Sequence, residues 1–305
     1  MPISTELKSL EGLADAASRD VLTCPHGRVT KEALDALFSH ECSAIIVPEF
    51  FPRRAAAKLG RLMLQSELRS NWKISQSVGG SLEESQVDSV GMPHNVALAS
   101  GNMEGYFAQA GELNAWMRTL NLGDGDQPGV PSLTPIDKLR IDLDDVWSGG
   151  CMVSRQSGRS LLPAAGRIME ANRDDSGHQD GFCHVDELEL MVPERGLFSA
   201  NIYLNVPPPM QGGELLIYPL RFSTKEEFCD NAASLSLLLT QEKGAQQELR
   251  RLLPMPLRIS PRAGDLVLLC AQRPHSVSSV RSGTRVSIQS FLTHSGAQEP
   301  LRLDA

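Results

Sequence analysis

Phe182-Cys183-His184-Val185-Asp186-Glu187-Leu188 is the stretch on which the reading of the fold turns. Its histidine and aspartate stand two residues apart, and side chains so spaced project from one face of an extended strand. A second histidine, His275, arrives far downstream, and Arg285 follows it. Two imidazoles and one carboxylate on one side of a metal leave the opposite positions open. That suits a ferrous ion which must also take a cosubstrate and oxygen. A guanidinium nearby can hold a dicarboxylate in two-pronged fashion.

Around this stretch the sequence from about residue 160 onward breaks into short apolar runs separated by turn residues. They are GRIMEA (166–171), FSANIYLN (198–205), ELLIYP (214–219), LRIS (257–260), DLVLLC (265–270) and RVSIQSFL (285–292). Strands at such spacing predict an antiparallel sandwich or barrel. Two of them alternate. In RVSIQSFL, Arg285, Ser287, Gln289 and Phe291 share one face, while Val286, Ile288 and Leu292 share the other. A polar face beside a metal ligand suits a dicarboxylate pocket and makes Arg285 and Ser287 candidates to line it. In FSANIYLN, Ser199, Asn201 and Tyr203 oppose Phe198, Ala200, Ile202 and Leu204. If the apolar side meets helices, Tyr203 lies inside with its hydroxyl near a carboxylate; the plainer alternative is a core tyrosine bonded to backbone.

The first half reads as mostly helical. Thr30 is placed to cap a helix to about His40, SAIIVPEFF (43–51) is a short strand, and helices are expected over 53–69, 103–121 and 136–147. The Gly- and Pro-rich segment 122–135 breaks the pattern. A helical insertion is expected at 223–253, opened by Ser223 and Thr224 with Glu226 and Glu227 in a capping-box pattern. No linker separates two domains, so the expectation is a single unit, 1–305. In it, residues 1–160 are a helical support and 161–294 a β core. A second His-x-Asp triplet, His178-Gln179-Asp180, lies in a turn-like composition and reads as a polar loop at the mouth of the barrel.

The ordered set His184-x-Asp186, Tyr203-Leu204-Asn205, Gly212-Gly213-Glu214-Leu215, Pro261 with Gly264-Asp265, His275 and Gly283-Thr284-Arg285 resembles the prolyl-hydroxylase-like branch of the Fe(II)- and 2-oxoglutarate-dependent oxygenases. The resemblance covers about residues 160–294. It implies a mainly β fold with α additions, a double-stranded β-helix (jelly-roll) barrel packed against the N-terminal helices. It implies His184, Asp186 and His275 as iron ligands, and Arg285 and Tyr203 on the distal carboxylate of 2-oxoglutarate. The helical first half and the insertion look like the free-standing indole-alkaloid halogenases of the same superfamily. Carried over, Arg167 becomes a contact to the cosubstrate or to the groups behind the ligands. Those halogenases have glycine where Asp186 stands, so the resemblance here implies oxygen transfer rather than halogenation.

The composition fits such an enzyme. The 305 residues are 41% hydrophobic and 22% charged with a net charge of -8, and the pI is about 5.4. That balance argues against nucleic-acid or anionic-membrane partners, which need a basic face. There is no apolar run long enough to span a bilayer and no signal-peptide pattern. Six scattered cysteines without a CxxC pair read as reduced thiols, so a cytoplasmic location is expected. The expected partner is a small molecule, a natural-product intermediate or an amino-acid derivative. A peptide hydroxylase and a non-catalytic metal- or ligand-binding barrel are the alternatives. Trp72, Phe107, Trp116 and Trp147 could line a cavity, with core packing as the simpler reading. Arg155 and Arg159 could meet an acidic substrate or merely sit in a solvated loop.

Overall fold

The computed structural model describes residues 7–14, 20–75, 82–122, 132–171, 183–239 and 243–305. Most of the Gly/Pro segment 122–135, and the triplet at 178–180, lie outside the described residues. The helices form where capping and periodicity put them. Helix α1 (Lys31–Phe38) starts at Thr30, whose hydroxyl accepts the Ala33 N–H. Helix α2 (Arg53–Leu64) starts after Pro52. α3 (His94–Ser100) and α4 (Met103–Thr119) follow. α5 (Pro135–Val146) opens on a capping box between Thr134 and Asp137 with proline in its first turn. In the 223–253 insertion, α6 (Lys225–Asp230) has a capping box of Thr224 and Glu227, and α7 (Ala232–Ser236) and α8 (Lys243–Leu252) complete it.

The strands are β1 (Val21–Thr23), β2 (Ala44–Val47), β3 (Arg69–Ser75), β4 (Leu82–Val90), β5 (Cys151–Val153), β6 (Arg155–Gln156), β7 (Arg159–Ser160), β8 (Ala165–Glu170), β9 (Gly196–Asn205), β10 (Leu215–Ile217), β11 (Leu257–Ile259), β12 (Leu266–Cys270), β13 (His275–Val277), β14 (Thr284–His294) and β15 (Leu301–Asp304). Ten of them make one sheet in the order β1-β2-β12-β9-β14-β8-β4-β3, with β15 on β14 and β5 on β15. A smaller sheet has the order β11-β10-β13, and β6 pairs β7. Thus the first half contributes β1 to β5 to the main sheet as well as its helices. The sequence reading had found only β2 among these.

The main sheet is two-faced, and its faces have different neighbours. On the outer face Phe198, Ala200, Ile202 and Leu204 join the large core that also holds α1 and α2. α2 approaches so closely that a Cβ on Gly60 would stand 3.4 Å from the Leu204 Cβ. On the inner face Tyr203, Val267, Leu269 and Ala44 pack against Leu215, Ile217 and Ile259 of the small sheet. The two sheets therefore face each other across a second, smaller core, and no ladder joins them among the described residues.

Two glycine turns set the spacing. Gly212 has φ +86°, and a side chain there would run into the Ser279 carbonyl. Gly264 has φ +93°, with the Phe51 carbonyl in the same relation. Asp265 ties the second turn down: its carboxylate accepts the Arg262 N–H at 2.8 Å and the Glu49 N–H at 3.0 Å. Tyr203 is fixed by this turn, because its N–H donates to the Asp265 carbonyl and its carbonyl accepts the Gly264 N–H. The six cysteines are free thiols, five of them buried. Among the described residues no helix is long and apolar enough to cross a membrane.

Candidate metal centre and anion pocket

His184 and His275 pair backbone to backbone, each donating its N–H to the other's carbonyl at 3.0 and 2.9 Å. This single bridge hangs the His184 segment on the edge of the small sheet next to β13. The sequence predicts a strand over 182–188. The described part, from Cys183 on, makes only this one bridge, because the Asp186 N–H turns away to the Ala271 carbonyl at 3.0 Å. The departure still delivers the carboxylate. His184 Nε2 lies 3.9 Å from Asp186 Oδ1, His275 Nε2 lies 3.4 Å from Asp186 Oδ2, and the two imidazole centroids are 4.3 Å apart. One ligand atom from each of the three falls within 4.8 Å of the others, a set that could hold a metal ion.

The ligands are prepared for that task. His275 Nδ1 lies 2.7 Å from the Arg273 carbonyl, which it meets as a donor, so Nε2, which faces Asp186, is the nitrogen left to ligate a metal. At Asp186, burial pushes the carboxyl up. The hydrogen bond and charge of His275, then the charges of His184 and Arg167, outweigh it, and the net shift is downward. At His275, burial pushes down, and Asp186 and the Arg273 carbonyl outweigh it to give a net rise. His184 stays about one third exposed, with 35% of its side chain open, so the metal position opens toward solvent on that side.

Behind the ligands, the inner face of the main sheet carries one row of directly paired residues: Ser89, Arg167, Ser287 and Tyr203. The β14–β9 register slips between Val286 and Ser287. A bulge of this kind re-aims side chains beside a site. Arg285, from the next position along β14 on this face, is 4% exposed. Its Nη2 donates to the Tyr203 hydroxyl at 3.2 Å, and its guanidinium lies 4.9 Å over the Tyr203 ring. So Tyr203 bonds Arg285, not backbone. Arg285 Nε and the Ser287 hydroxyl are buried with no hydrogen-bond partner. Arg167 is 5% exposed; its Nε donates to Gln289 Oε1 at 2.8 Å, and its guanidinium lies 4.6 Å over the Trp72 ring. Burial lowers its pKa to about 10, against the pull of Asp186, so it is a cation at neutral pH.

The structure thus gathers His184, Asp186 and His275, sets the Arg167 charge where it acts on Asp186, and pairs Arg167 with Ser287 and Ser287 with Tyr203, which Arg285 bonds. Of the aromatic candidates, Trp72 alone stands at this pocket, against Arg167. Trp147 packs with Phe38 and His294, Phe107 with Tyr106, and Trp116 against the main core. Arg155 bonds the Gly158 carbonyl and Arg159 pairs with Glu104, both away from the pocket. One contributor had no signal in the sequence. The Gln246 amide of α8 accepts the Cys183 N–H at 2.9 Å and donates to the Cys183 carbonyl at 3.1 Å, clamping the residue before His184.

No family model matches the chain, and no curated protein matches it. Among solved structures it is similar to an N-substituted L-amino acid dioxygenase from Burkholderia ambifaria AMMD, at 16% identity, 90% coverage of this chain and 91% of that one, with a TM-score of 0.51. The same dioxygenase in complex with alpha-KG is matched at 15% identity, 90% and 91% coverage and a TM-score of 0.47. SnoN, a non-heme alpha ketoglutarate dependent epimerase from nogalamycin biosynthesis, is matched at 14% identity, 87% and 83% coverage and 0.45. The first of these likenesses defines the class of fold: this chain folds as that N-substituted L-amino acid dioxygenase does, over 90% of its length.

Proposed function

We propose that this chain is an Fe(II)- and 2-oxoglutarate-dependent oxygenase that hydroxylates an aliphatic C–H of a small molecule. The observation that carries the reading is one arrangement. Two imidazoles and a carboxylate converge within 4.8 Å, and the wall beside them holds two buried polar atoms that lack partners, Arg285 Nε and Ser287 Oγ. Buried polar atoms are nearly always paired, so orphaned donors on one wall mark the place of an acceptor. A dicarboxylate such as 2-oxoglutarate supplies it.

His184, Asp186 and His275 would hold the iron, a donor set of two neutral imidazoles and one carboxylate that suits Fe(II). Bound there, ferrous iron with 2-oxoglutarate and O2 supplies the oxidising power, with succinate and carbon dioxide as coproducts. Arg285, Tyr203 and Ser287 bind and orient the far carboxylate. The dry inner faces of the two sheets exclude water from the reacting region. Asp186 occupies the position that a halide-transferring site leaves empty, so the reading is oxygen transfer. The two facing sheets are read as the double-stranded β-helix. Residues 1–160 are its support and the 223–253 insertion its brace, within one oxygenase unit spanning 1–305.

Anaerobic addition of Fe(II) and 2-oxoglutarate should give the weak visible charge-transfer band of the chelate, and His184→Ala should abolish it without unfolding the chain. Succinate release over a metabolite library then finds the substrate. A folded wild-type protein that shows no band sinks the reading.

A further inference from the structure

Two guanidiniums face the pocket, and the cosubstrate uses one. We infer that Arg167 and Trp72 form a second anion subsite that holds the carboxylate of a small, singly charged acidic substrate. The inference deepens the oxygenase reading and rests on it for the reaction, though not for the binding.

Arg167 is 95% buried by its 5% exposure, yet no carboxylate lies within ion-pair distance among the described residues. Its Nε is used by Gln289, its flat face lies on Trp72, and Nη1 has no partner. The Trp72 Nε1 is likewise buried and unpartnered. Two donors in one place, one of them charged, call for an anionic acceptor, because an unpaired buried cation is among the most costly groups to keep. The anion that Arg285 binds does not reach the need by charge. A ferrous ion, the Asp186 carboxylate, a doubly charged cosubstrate and Arg285 together sum to zero, and Arg167 leaves one positive charge over. A monoanionic substrate brings the closed site to neutrality. Arg167 also feels Asp186, whereas Arg285 bonds Tyr203. That places the Arg167 subsite beside the metal ligands, where the attacked carbon must lie.

The test uses N-acetyl-L-leucine, octanoate and their methyl esters as probes, titrated calorimetrically into full-length protein with and without Fe(II) and 2-oxoglutarate under argon. At least one acid should bind more tightly than its ester, roughly 10-fold or more. Arg167→Gln should erase that preference, weakening the acid about 30-fold, as for removal of one partner of a buried charge pair. The same variant should leave the affinity for 2-oxoglutarate within about twofold. Trp72→Phe keeps an aromatic ring but drops the N–H; it should weaken the acid several-fold and decides the matter if Arg167→Gln fails to fold. The proposal is overturned if acids and esters bind alike, or if Arg167→Gln weakens 2-oxoglutarate as Arg285→Gln does. In the latter case Arg167 serves the cosubstrate. Retained acid preference without the iron chelate's visible band sinks the oxygenase reading and leaves the subsite standing.

Discussion

At the scale of single residues, backbone hydrogen bonds aim His275, Asp186 and Tyr203. The Arg273 carbonyl selects the His275 tautomer, the Ala271 carbonyl turns Asp186 inward, and the Asp265 turn fixes Tyr203 beneath Arg285. The Arg285 guanidinium is buried, so in the proposed site replacing it would remove the ion partner of a desolvated carboxylate. Arg285→Gln should weaken 2-oxoglutarate binding by about 2–4 kcal/mol, roughly 30- to 1,000-fold. Titration of the visible band against 2-oxoglutarate measures this. A change under threefold would remove Arg285 from the pocket chemistry. Most of these residues were legible in the sequence. Strand alternation alone put Arg285, Ser287 and Gln289 on one face and Ser199, Asn201 and Tyr203 on another, and the pairing of Ser287 with Tyr203 makes those two faces one wall. Gln246 was not legible, because its partner Cys183 is 63 positions away and a glutamine in a polar helix gives no local sign of it.

Among the elements, α8 matters most for the site. Its Gln246 amide satisfies both backbone groups of Cys183 at once, as a neighbouring strand would, and so makes good the pairing that the His184 segment lacks. Gln246→Leu leaves both groups buried and unpaired. It should lower affinity for Fe(II) by about 10-fold or more, as outer partners of metal ligands do, while the α-helical content measured by circular dichroism stays. Equal iron affinity in variant and wild type would reduce α8 to simple cover. α5 offers a cleaner control, since its capping box stands apart from the ligands. Thr134→Ala removes the acceptor for the Asp137 N–H and the donor to the Asp137 carboxylate, and should cost about 1 kcal/mol in urea unfolding with the chelate band unchanged. Caps of this sort were readable because they are local. The strands β3 and β4 were not: RSNWKIS and LEESQVDSV are largely polar runs, and no element is expected there from the sequence. Pairing of β4 with β8, a long-range event, and of β3 with β4 makes them strands.

Over the whole molecule, the main sheet divides two environments. Its outer side is an apolar core shared with the helices, and its inner side carries a smaller apolar core together with the polar row of Ser89, Arg167, Ser287 and Tyr203, so the chemistry is confined to the inner face. His294 sits on the outer side. It is 4% exposed and stacks on Phe38 at 4.5 Å, with Trp147 edge-on at 5.3 Å, and neither ring nitrogen has a hydrogen-bond partner. Burial pushes its pKa below the ordinary 6.5. The unfolded chain therefore takes up a proton at this residue at higher pH than the folded one. Its contribution to stability is complete above 6.5 and is lost as pH falls from there toward the folded value. In that window one proton changes stability by about 1.4 kcal/mol per pH unit at most. His294→Phe keeps the stacking and removes the proton site. Urea midpoints taken from pH 8 to pH 5 should then fall less steeply in the variant than in the wild type. Metal-free protein is the right sample, because the Asp186–His275 pair is common to both and cancels in the difference. Parallel curves for the two proteins would mean that the His294 pKa is not lowered on folding.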